Sequence, residues 1–306
     1  MRSNLQIKVG TYTGDGADNR NITGIGFRPD LVIVNRDASN TVFRTKERRG
    51  DSTGFLASTN TDLTNQIQEF LNDGFQIGTA AQVNANAVVY YYIAIKGNAG
   101  QSHFRTGNYV GDGADSRDFI TGGLNFTPDL VFLQAISGAV QAMFKTSSMA
   151  GDTSIRFEGT AGIANAIQNL QSNGFQVGTD ARVNASTVEY FFVALKKLAG
   201  AIAVGTFIGT GVAKSITGLG FKPDFVIVKN YNTTNQARML TADMVTAAVN
   251  SIFMGSIASD ANGITTLDLD GFSVGTGADV NGNTNTLYWI AFKSGNFNAP
   301  VARTAV

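Results

Sequence analysis

Residues 9–34 read VGTYTGDGADNRNITGIGFRPDLVIV, and this segment returns twice along the chain. The related segments are TGNYVGDGADSRDFITGGLNFTPDLVFL, from Thr106, and VGTFIGTGVAKSITGLGFKPDFVIV, from Val204. Three of the four prolines occupy the same place in the three segments: Pro29, Pro128 and Pro223. Self-similarity at a regular spacing is the signature of repeated structural units, so the chain contains three copies of one unit.

A second block closes each copy. It reads DGFQIGTAAQVNANAVVYYYIAIK from Asp73, NGFQVGTDARVNASTVEYFFVALK from Asn173 and DGFSVGTGADVNGNTNTLYWIAFK from Asp270. The repeats are therefore predicted to span residues 1–98, 99–198 and 199–296, followed by a C-terminal tail at 297–306. The joins GNAGQSH and KLAGAIA are too short to be flexible spacers, so neighbouring repeats should touch.

Each repeat has the pattern of a β-sandwich. Pro-Asp sets a turn, and the continuous apolar run at residues 31–34 predicts a strand buried on both faces. Asp-Gly and Asn-Gly favour hairpin turns because glycine tolerates positive φ. The hairpin glycines and the phenylalanines that follow them, which should enter the cores, are Gly74, Phe75, Gly174, Phe175, Gly271 and Phe272. With about seven strands a copy, we predict an all-β fold of three tandem, jelly-roll-like β-sandwich repeats.

The segment before each hairpin leaves strand and helix open. Ile67 and Phe70 are three residues apart, a spacing that also suits a short helix. Thr265 and Thr266 favour a strand in repeat three. The Ala-rich stretch GIANAIQNL makes repeat two the copy most suited to a helix.

Composition excludes several classes of function. Lys+Arg and Asp+Glu both number 23, so no net charge attracts nucleic acid or an anionic membrane, and neither is an expected partner. The absence of cysteine excludes disulfides, thiolate zinc sites and cysteine nucleophiles. The longest apolar run, residues 87–95, is too short to cross a bilayer. A basic run in repeat one is interpreted as a solvated loop, in preference to a phosphate-binding patch. It comprises Arg44, Lys46, Arg48 and Arg49.

No catalytic, cofactor-binding or metal-binding residue is predicted. The single histidine, His103, lies in a join and has no second histidine to complete a metal site. A carboxylate recurs after each proline, at Asp30, Asp129 and Asp224. Paired-carboxylate catalysis is the alternative there, but a carboxylate next to a turn more naturally accepts hydrogen bonds from turn amides.

Two loops resemble calcium ligands because Asp and Gly combine oxygen donors with a tight turn. They are residues 14–18 and 111–115, and repeat three replaces them with Gly-Thr-Gly-Val-Ala at 209–213. No glutamate follows at the usual calcium-loop distance, so we interpret them as turns. The Gly-x-Gly spacing lies between β segments, which does not fit a nucleotide-binding loop.

The aromatic runs 90–92, 190–192 and 288–289 are interpreted as packing, with a sugar-stacking surface as the alternative. The copies differ most at residues 35–66, 134–166 and 229–263. A repeated framework with divergent loops is a common design for recognition surfaces, so specific contacts are expected in these segments.

The motifs Gly-x-Gly-Phe-x-Pro-Asp-Leu-Val at 24–32, Asp-Gly-Phe-x-Ile-Gly at 73–78 and Gly-x-Tyr-x-Gly-Asp-Gly at 10–16 resemble repeat domains of tailed-bacteriophage structural proteins. The resemblance spans all three repeats. It departs at residues 32–34 and 226–228, where family members often carry an aromatic residue, as in Val-Trp-Ile-Lys, and this chain reads Val-Ile-Val. The resemblance implies a virion component with β-sandwich modules, usually tail-associated, and transfers no catalytic residue.

The expected function is that of a non-enzymatic virion protein, assembled in the host cytoplasm and placed on the tail or as a capsid decoration. Its expected partners are other virion proteins. The alternative is an adhesin whose divergent loops bind host-surface glycan. Short connectors also favour packing of the repeats around a pseudo-threefold axis, so that one chain imitates a trimer, over a linear rod. A homo-oligomer is a further expectation.

Overall fold

The computed structural model describes residues 4–119, 124–138, 140–159 and 161–298. The strands of repeat one are β1 (Leu5–Thr13), β2 (Arg20–Thr23), β3 (Leu31–Asn35), β4 (Val42–Thr45), β5 (Gly54–Phe55), β6 (Ile67–Leu71), β7 (Gly74–Ile77) and β8 (Val89–Lys96). One helical turn, α1 (Ala81–Asn84), precedes β8.

Repeats two and three follow the same order. Repeat two contains β9 (Phe104–Val110), β10 (Arg117–Asp118), β11 (Leu130–Ala135), β12 (Met143–Thr146), β13 (Ile155–Arg156), β14 (Ile167–Gln171), β15 (Gly174–Val177), α2 (Ala181–Asn184) and β16 (Glu189–Leu195). Repeat three contains β17 (Ile202–Ile208), β18 (Lys214–Thr217), β19 (Phe225–Asn230), β20 (Arg238–Thr241), α3 (Ala242–Thr246), β21 (Ile252–Phe253), β22 (Ile264–Asp268), β23 (Gly271–Val274), α4 (Ala278–Asn281), β24 (Thr286–Phe292) and β25 (Gly295–Phe297).

Each repeat forms two antiparallel sheets. In repeat one the larger sheet has the order β1-β8-β3-β4-β5 and the smaller one has the order β2-β7-β6, and both orders recur in the other repeats. The all-β fold of three tandem β-sandwich repeats is therefore confirmed. Among the described residues each copy has eight strands in its two sheets, one more than the sequence suggested, and β25 follows as an additional strand after repeat three.

The strand after the Pro-Asp turn is buried on both faces, as its uninterrupted apolar sequence predicts. All five residues of β3 are buried. Val32 and Val34 pack into the core between the two sheets of repeat one. Leu31 and Ile33, which point the opposite way, pack into an apolar cluster shared with the other repeats. The two-sided burial thus reflects two cores, one within the repeat and one between repeats.

The segment before each hairpin is a strand in all three copies, so the helix suggested for repeat two is wrong. The reason is a β-bulge: β14 pairs Ile167 with Val177 and Asn169 with Gln176, so its register shifts by one residue against β15. An extra residue in one strand lets side chains three apart face the same side. Ile167 and Leu170 consequently both reach the core of repeat two, with the spacing of a helix.

The larger sheets of all three repeats contribute to one interior. Leu31, Phe132 and Ile227 line a residual cavity of about 10 Å³ inside it, together with side chains from each repeat. A cavity of that size is at the lower limit for a single water molecule. The interior between the repeats therefore leaves little empty space at this place.

Backbone hydrogen bonds also join the repeats and close the chain on itself. The Thr41 amide of repeat one donates to Met254 in repeat three, and the Ala237 amide of repeat three donates to Phe157 in repeat two, each over 2.7 Å. Beyond β24, β25 adds an antiparallel strand to β1 and pairs Phe297 with Leu5. Each repeat thus contacts both others. Most of the predicted C-terminal tail, residues 297–306, lies outside the described residues.

Candidate functional site

The recurrent Pro-Asp carboxylates fasten the last strand of each repeat. Asp30 Oδ2 accepts a hydrogen bond from the Gly97 amide over 2.9 Å. Asp129 Oδ2 accepts one from the Lys197 amide over 2.8 Å. Asp224 Oδ2 accepts one from the Ser294 amide over 2.8 Å. The prolines before them, Pro29, Pro128 and Pro223, are buried. Each carboxylate therefore joins the Pro-Asp turn to the residues that follow the last strand of the larger sheet, as expected of a structural carboxylate.

The hairpin residues hold the glycine-containing loop that precedes each Pro-Asp turn in repeats one and three. Asp73 accepts hydrogen bonds from the amides of Gly24 and Gly26, and Asp270 repeats the arrangement in repeat three. Gly74 has a φ of +151°, and a Cβ there would lie 1.9 Å from the carbonyl oxygen of Ile22, so only glycine fits. Gly271 has the same constraint, and Gly174 occupies the equivalent buried turn position. Phe75, Phe175 and Phe272 are fully buried.

A buried asparagine in each helical turn holds the first loop of its repeat, and the sequence reasoning missed it. Asn84 accepts from the Asp15 amide over 3.0 Å and from Arg20, and its Nδ2 donates to the Ala17 carbonyl over 2.7 Å and to the Asp15 carboxylate. Four hydrogen bonds use the full capacity of an amide side chain. Asn184 makes the same contacts in repeat two. The available signal was the recurring Val-Asn in AQVNA, ARVNA and ADVNG.

The acidic loops are built as turns. Asp15 Oδ1 accepts from the Ala17 amide, and Oδ2 lies 3.2 Å from Arg20 Nε. The Ala17 hydrogen bond is the main cause that lowers the pKa of this carboxyl. In repeat three Asn281 keeps the loop together without an aspartate, because it accepts from Thr210 and donates to Val212. Among the described residues no three His, Asp or Glu side chains are grouped to hold a metal ion.

The single histidine is a packed residue of the join. His103 is 7% exposed, and its Nδ1 lies 2.8 Å from Ser102 Oγ. Burial, aided by the nearby Lys196 charge, lowers the pKa of the imidazole. Its carbonyl accepts from the Lys196 amide, which ties the join to β16. A neutral, hydrogen-bonded histidine fits the structural interpretation.

The interpretation of the basic run in repeat one as a solvated loop is wrong for two of its four members, whereas Lys46 and Arg49 are exposed. Arg44 and Arg48 are 6% and 3% exposed. The Arg48 guanidinium pairs with Asp62, donates to Gln134 of repeat two over 2.6 Å and lies 4.4 Å from the Phe191 ring. A planar, weakly hydrated guanidinium suits such buried interface contacts. Burial lowers the pKa of Arg48 to about 9.

The aromatic runs lie inside the protein. Tyr90 to Tyr92, Tyr190 to Phe192, and Tyr288 and Trp289 are all less than 10% exposed. Tyr12 stacks on Tyr90 at 5.2 Å between ring centroids. The packing interpretation is therefore correct, and these strands offer no ring face to a sugar.

The divergent segments supply many of the contacts between repeats. Asp62 donates through its amide to the Ile136 carbonyl of repeat two. Gln236 of repeat three donates to Glu158 of repeat two over 3.1 Å. Asn35 of repeat one donates to the Phe253 carbonyl of repeat three over 2.9 Å. Because each repeat meets a different neighbouring sequence inside the chain, part of the divergence is explained by internal contacts.

One open pocket of about 470 Å³ lies in repeat two, beside the Pro-Asp turn. Its walls come from β12, the loop at 147–152, β14 and β15. Lys145, 3% exposed, donates through Nζ to the carbonyls of Gly151 and Thr153, each over 2.7 Å. Burial lowers the pKa of this ammonium to about 8. Asp129 and Asp152 carry negative charge at the pocket, and Leu170 provides an apolar wall.

Comparison with protein families supports the internal repeat. The model of a domain family of unknown function, DUF7483, matches residues 4–102 and 202–305, which correspond to repeats one and three. The chain belongs to the DUF7483 family. Repeat two lies between the DUF7483 matches and shares their strand order. No curated protein matches the chain. No helix among the described residues is long and apolar enough to span a membrane.

Proposed function

We propose that this DUF7483 protein is a non-enzymatic structural component of a tailed-phage virion, placed on the exterior of the tail or capsid, where it contacts other virion proteins. The motif resemblance provides the phage context. The observation that carries the structural role is the shared interior, which makes three unequal repeats into one body. A single chain of this kind suits a threefold or quasi-threefold position, where each repeat meets a slightly different neighbour.

The use of polar groups also supports a role without catalysis. The recurrent aspartates, the histidine and the buried arginine of repeat one all have hydrogen-bond or ionic partners within the protein. The recurrent carboxylates fasten strands to turns, which is a requirement of the fold.

An interaction surface is favoured at one end of the larger sheets, where the first and last strands of each repeat pair. Thr13 pairs with Val89, Val110 with Glu189 and Ile208 with Thr286, so these pairs are equivalent in the three repeats. Each pair exposes one aliphatic side chain, Val89 at 44% and Val110 and Ile208 at 53%. Three equivalent apolar points on one body suit contact with a protein surface, in which a few buried aliphatic groups form the centre.

Antibody labelling tests the location. Antibodies raised against the purified chain are applied to purified particles from cells that carry its gene, and bound gold is located by electron microscopy. The proposal expects label on the tail or the capsid exterior. Particles that carry neither label nor the chain by mass spectrometry would refute it.

A surface variant tests the contact itself. The triple change Val89→Ser, Val110→Ser and Ile208→Ser should abolish incorporation into particles while leaving the melting temperature unchanged, because these side chains are half exposed. Leu269→Ser is the matched control, since Leu269 is 87% exposed in a hairpin turn. Normal incorporation of the triple variant would show that this surface is not the contact.

A further inference from the structure

The pocket of repeat two arises from side chains that are smaller than their counterparts in repeat one. Strand pairing and turn hydrogen bonds make Ser147 equivalent to Lys46 and Leu170 equivalent to Phe70. The same pairing makes Lys145 equivalent to Arg44. In repeat one Lys46 lies 3.3 Å from Asp30, and the Arg44 guanidinium lies 6.0 Å from the Phe70 ring. Repeat one therefore places larger side chains where Ser147 and Leu170 line the pocket of repeat two.

Repeat three closes the same place in another way. The residue equivalent to Lys145 is Leu240, and the chain continues directly into α3 where repeat two has its loop. Thr241, the counterpart of Thr146, caps this helix by accepting from the Met244 amide. The side chains and the loop that line the repeat-two pocket are therefore not required by the shared fold. At about 470 Å³ it falls within the range of about 300–1,000 Å³ typical of small-ligand clefts.

The charges of the pocket favour an uncharged ligand. Lys145 donates to two backbone carbonyls, so its ammonium is largely committed to the protein. Asp129 lies 3.4 Å from Lys197 Nζ and accepts from the Ser147 hydroxyl, whereas Asp152 accepts from the Asn165 amide and is exposed. An anionic ligand would face two carboxylates, which repel it. Both carboxylates and the lysine already have partners within the protein, so none of the three is a free counter-ion for a charged ligand.

The remaining lining matches a ligand rich in hydroxyl groups. Asn169 and Asp152 are exposed at the pocket, and an amide and a carboxylate exchange hydrogen bonds with hydroxyls. Gln176 offers its side-chain oxygen as an acceptor, because its Nε2 already donates to Ser116 and Asp118. Leu170 and Met149 give the pocket an apolar side. A sugar ring has this division, with hydroxyls at its rim and C–H groups on its face.

We infer that the repeat-two pocket is a binding site for a neutral sugar unit of a glycan. The site is separate from the buried aromatic strands and goes beyond the proposed structural role, so either can fail without the other. A virion protein with such a pocket would bind surface carbohydrate there, while the exposed residues Val89, Val110 and Ile208 contact the particle.

The test uses the full chain on an array of neutral and acidic glycans, followed by calorimetric titration with the neutral glycan that binds best. The double variant Ser147→Lys and Leu170→Phe closes the pocket. It introduces the residues that repeat one has at the equivalent positions, Lys46 and Phe70. This variant should keep the melting temperature and lose binding at least tenfold. Lys46→Ser in repeat one is the matched control and should bind like the unchanged protein.

Three outcomes would overturn the inference: an array on which no neutral glycan binds, binding restricted to acidic glycans, or full binding by the closed variant. If the closed variant melts earlier, the single change Ser147→Lys decides the matter, because its side chain is exposed and placing a lysine at the rim leaves the core intact. If the Ser147→Lys variant folds, places its new lysine beside Asp129 and still binds the glycan, the inference is also overturned. Incorporation of the closed variant into particles reports separately on the structural role.

Discussion

Replacing Phe75 by alanine should destabilise the whole chain, although the residue belongs to repeat one. Phe75 is fully buried, and its ring meets Tyr92 edge-on at 5.4 Å and Tyr12 at 6.3 Å. Removing a buried phenylalanine costs about 3–5 kcal/mol. Each aromatic pair adds about 0.5–1.5 kcal/mol to simple area burial, so the upper part of that range is expected.

Urea denaturation can show whether this loss spreads through the shared interior. The single tryptophan, Trp289, lies in repeat three and is 8% exposed, so its fluorescence reports on the copy that does not contain the change. With a slope of about 3 kcal/mol per molar urea, the fluorescence midpoint should fall by at least about 1 M, together with the far-ultraviolet circular dichroism. Leu269→Ala, at an 87% exposed position, should change stability by less than about 0.5 kcal/mol. A Phe75→Ala variant whose Trp289 transition stays in place while the dichroism becomes biphasic would refute the coupling.

Asn84→Ala should destabilise by about 2–4 kcal/mol, because it removes a buried amide with four hydrogen bonds and leaves their partners unpaired; exposed Asn86→Ala is the control, and equal melting temperatures would contradict this role. Calcium or a chelator should leave the melting temperature unchanged, because Asp15 is occupied by Arg20 and by turn amides; a rise of several degrees with calcium would overturn the turn interpretation. Burial raises the pKa of Tyr92 to about 12, above its ordinary 10.0. Stability from such tyrosines should be complete below pH 10 and be lost as pH rises towards 12, so phenolate absorbance near 295 nm should appear together with unfolding; ionisation at pH 10 without unfolding would contradict it.

The sequence was sufficient for the repeat, the sheet architecture and the buried strand. Residues 31–34 are apolar without alternation because Val32 faces one core and Ile33 another, and this pattern has a direct physical reading. The Asp-Gly-Phe hairpin was equally readable, since Gly74 adopts a backbone conformation that excludes other residues. Features of this kind can be predicted from a short segment of sequence, because they do not depend on which other parts of the chain pack against it.

The remaining features depended on contacts between distant parts of the chain. The bulge at Ile167 imitates a helical spacing, and only the pairing with β15 shows that the segment is a strand. Arg48 looked solvated because its partners, Gln134 and Phe191, belong to the next repeat. The pocket could not be found from repeat two alone, since it exists through the smaller size of Leu170 relative to Phe70.

The closed arrangement of the three repeats is tested most directly by small-angle X-ray scattering of the isolated chain. In this arrangement β25 pairs with β1, and one interior is common to all three repeats. A compact body of this length should have a radius of gyration of about 19 Å. Three such domains in line, with centres about 30 Å apart, would give about 28 Å and a clearly longer maximum dimension. A value near 19 Å is the predicted result, and one near 28 Å would contradict the closed body and the structural role built on it.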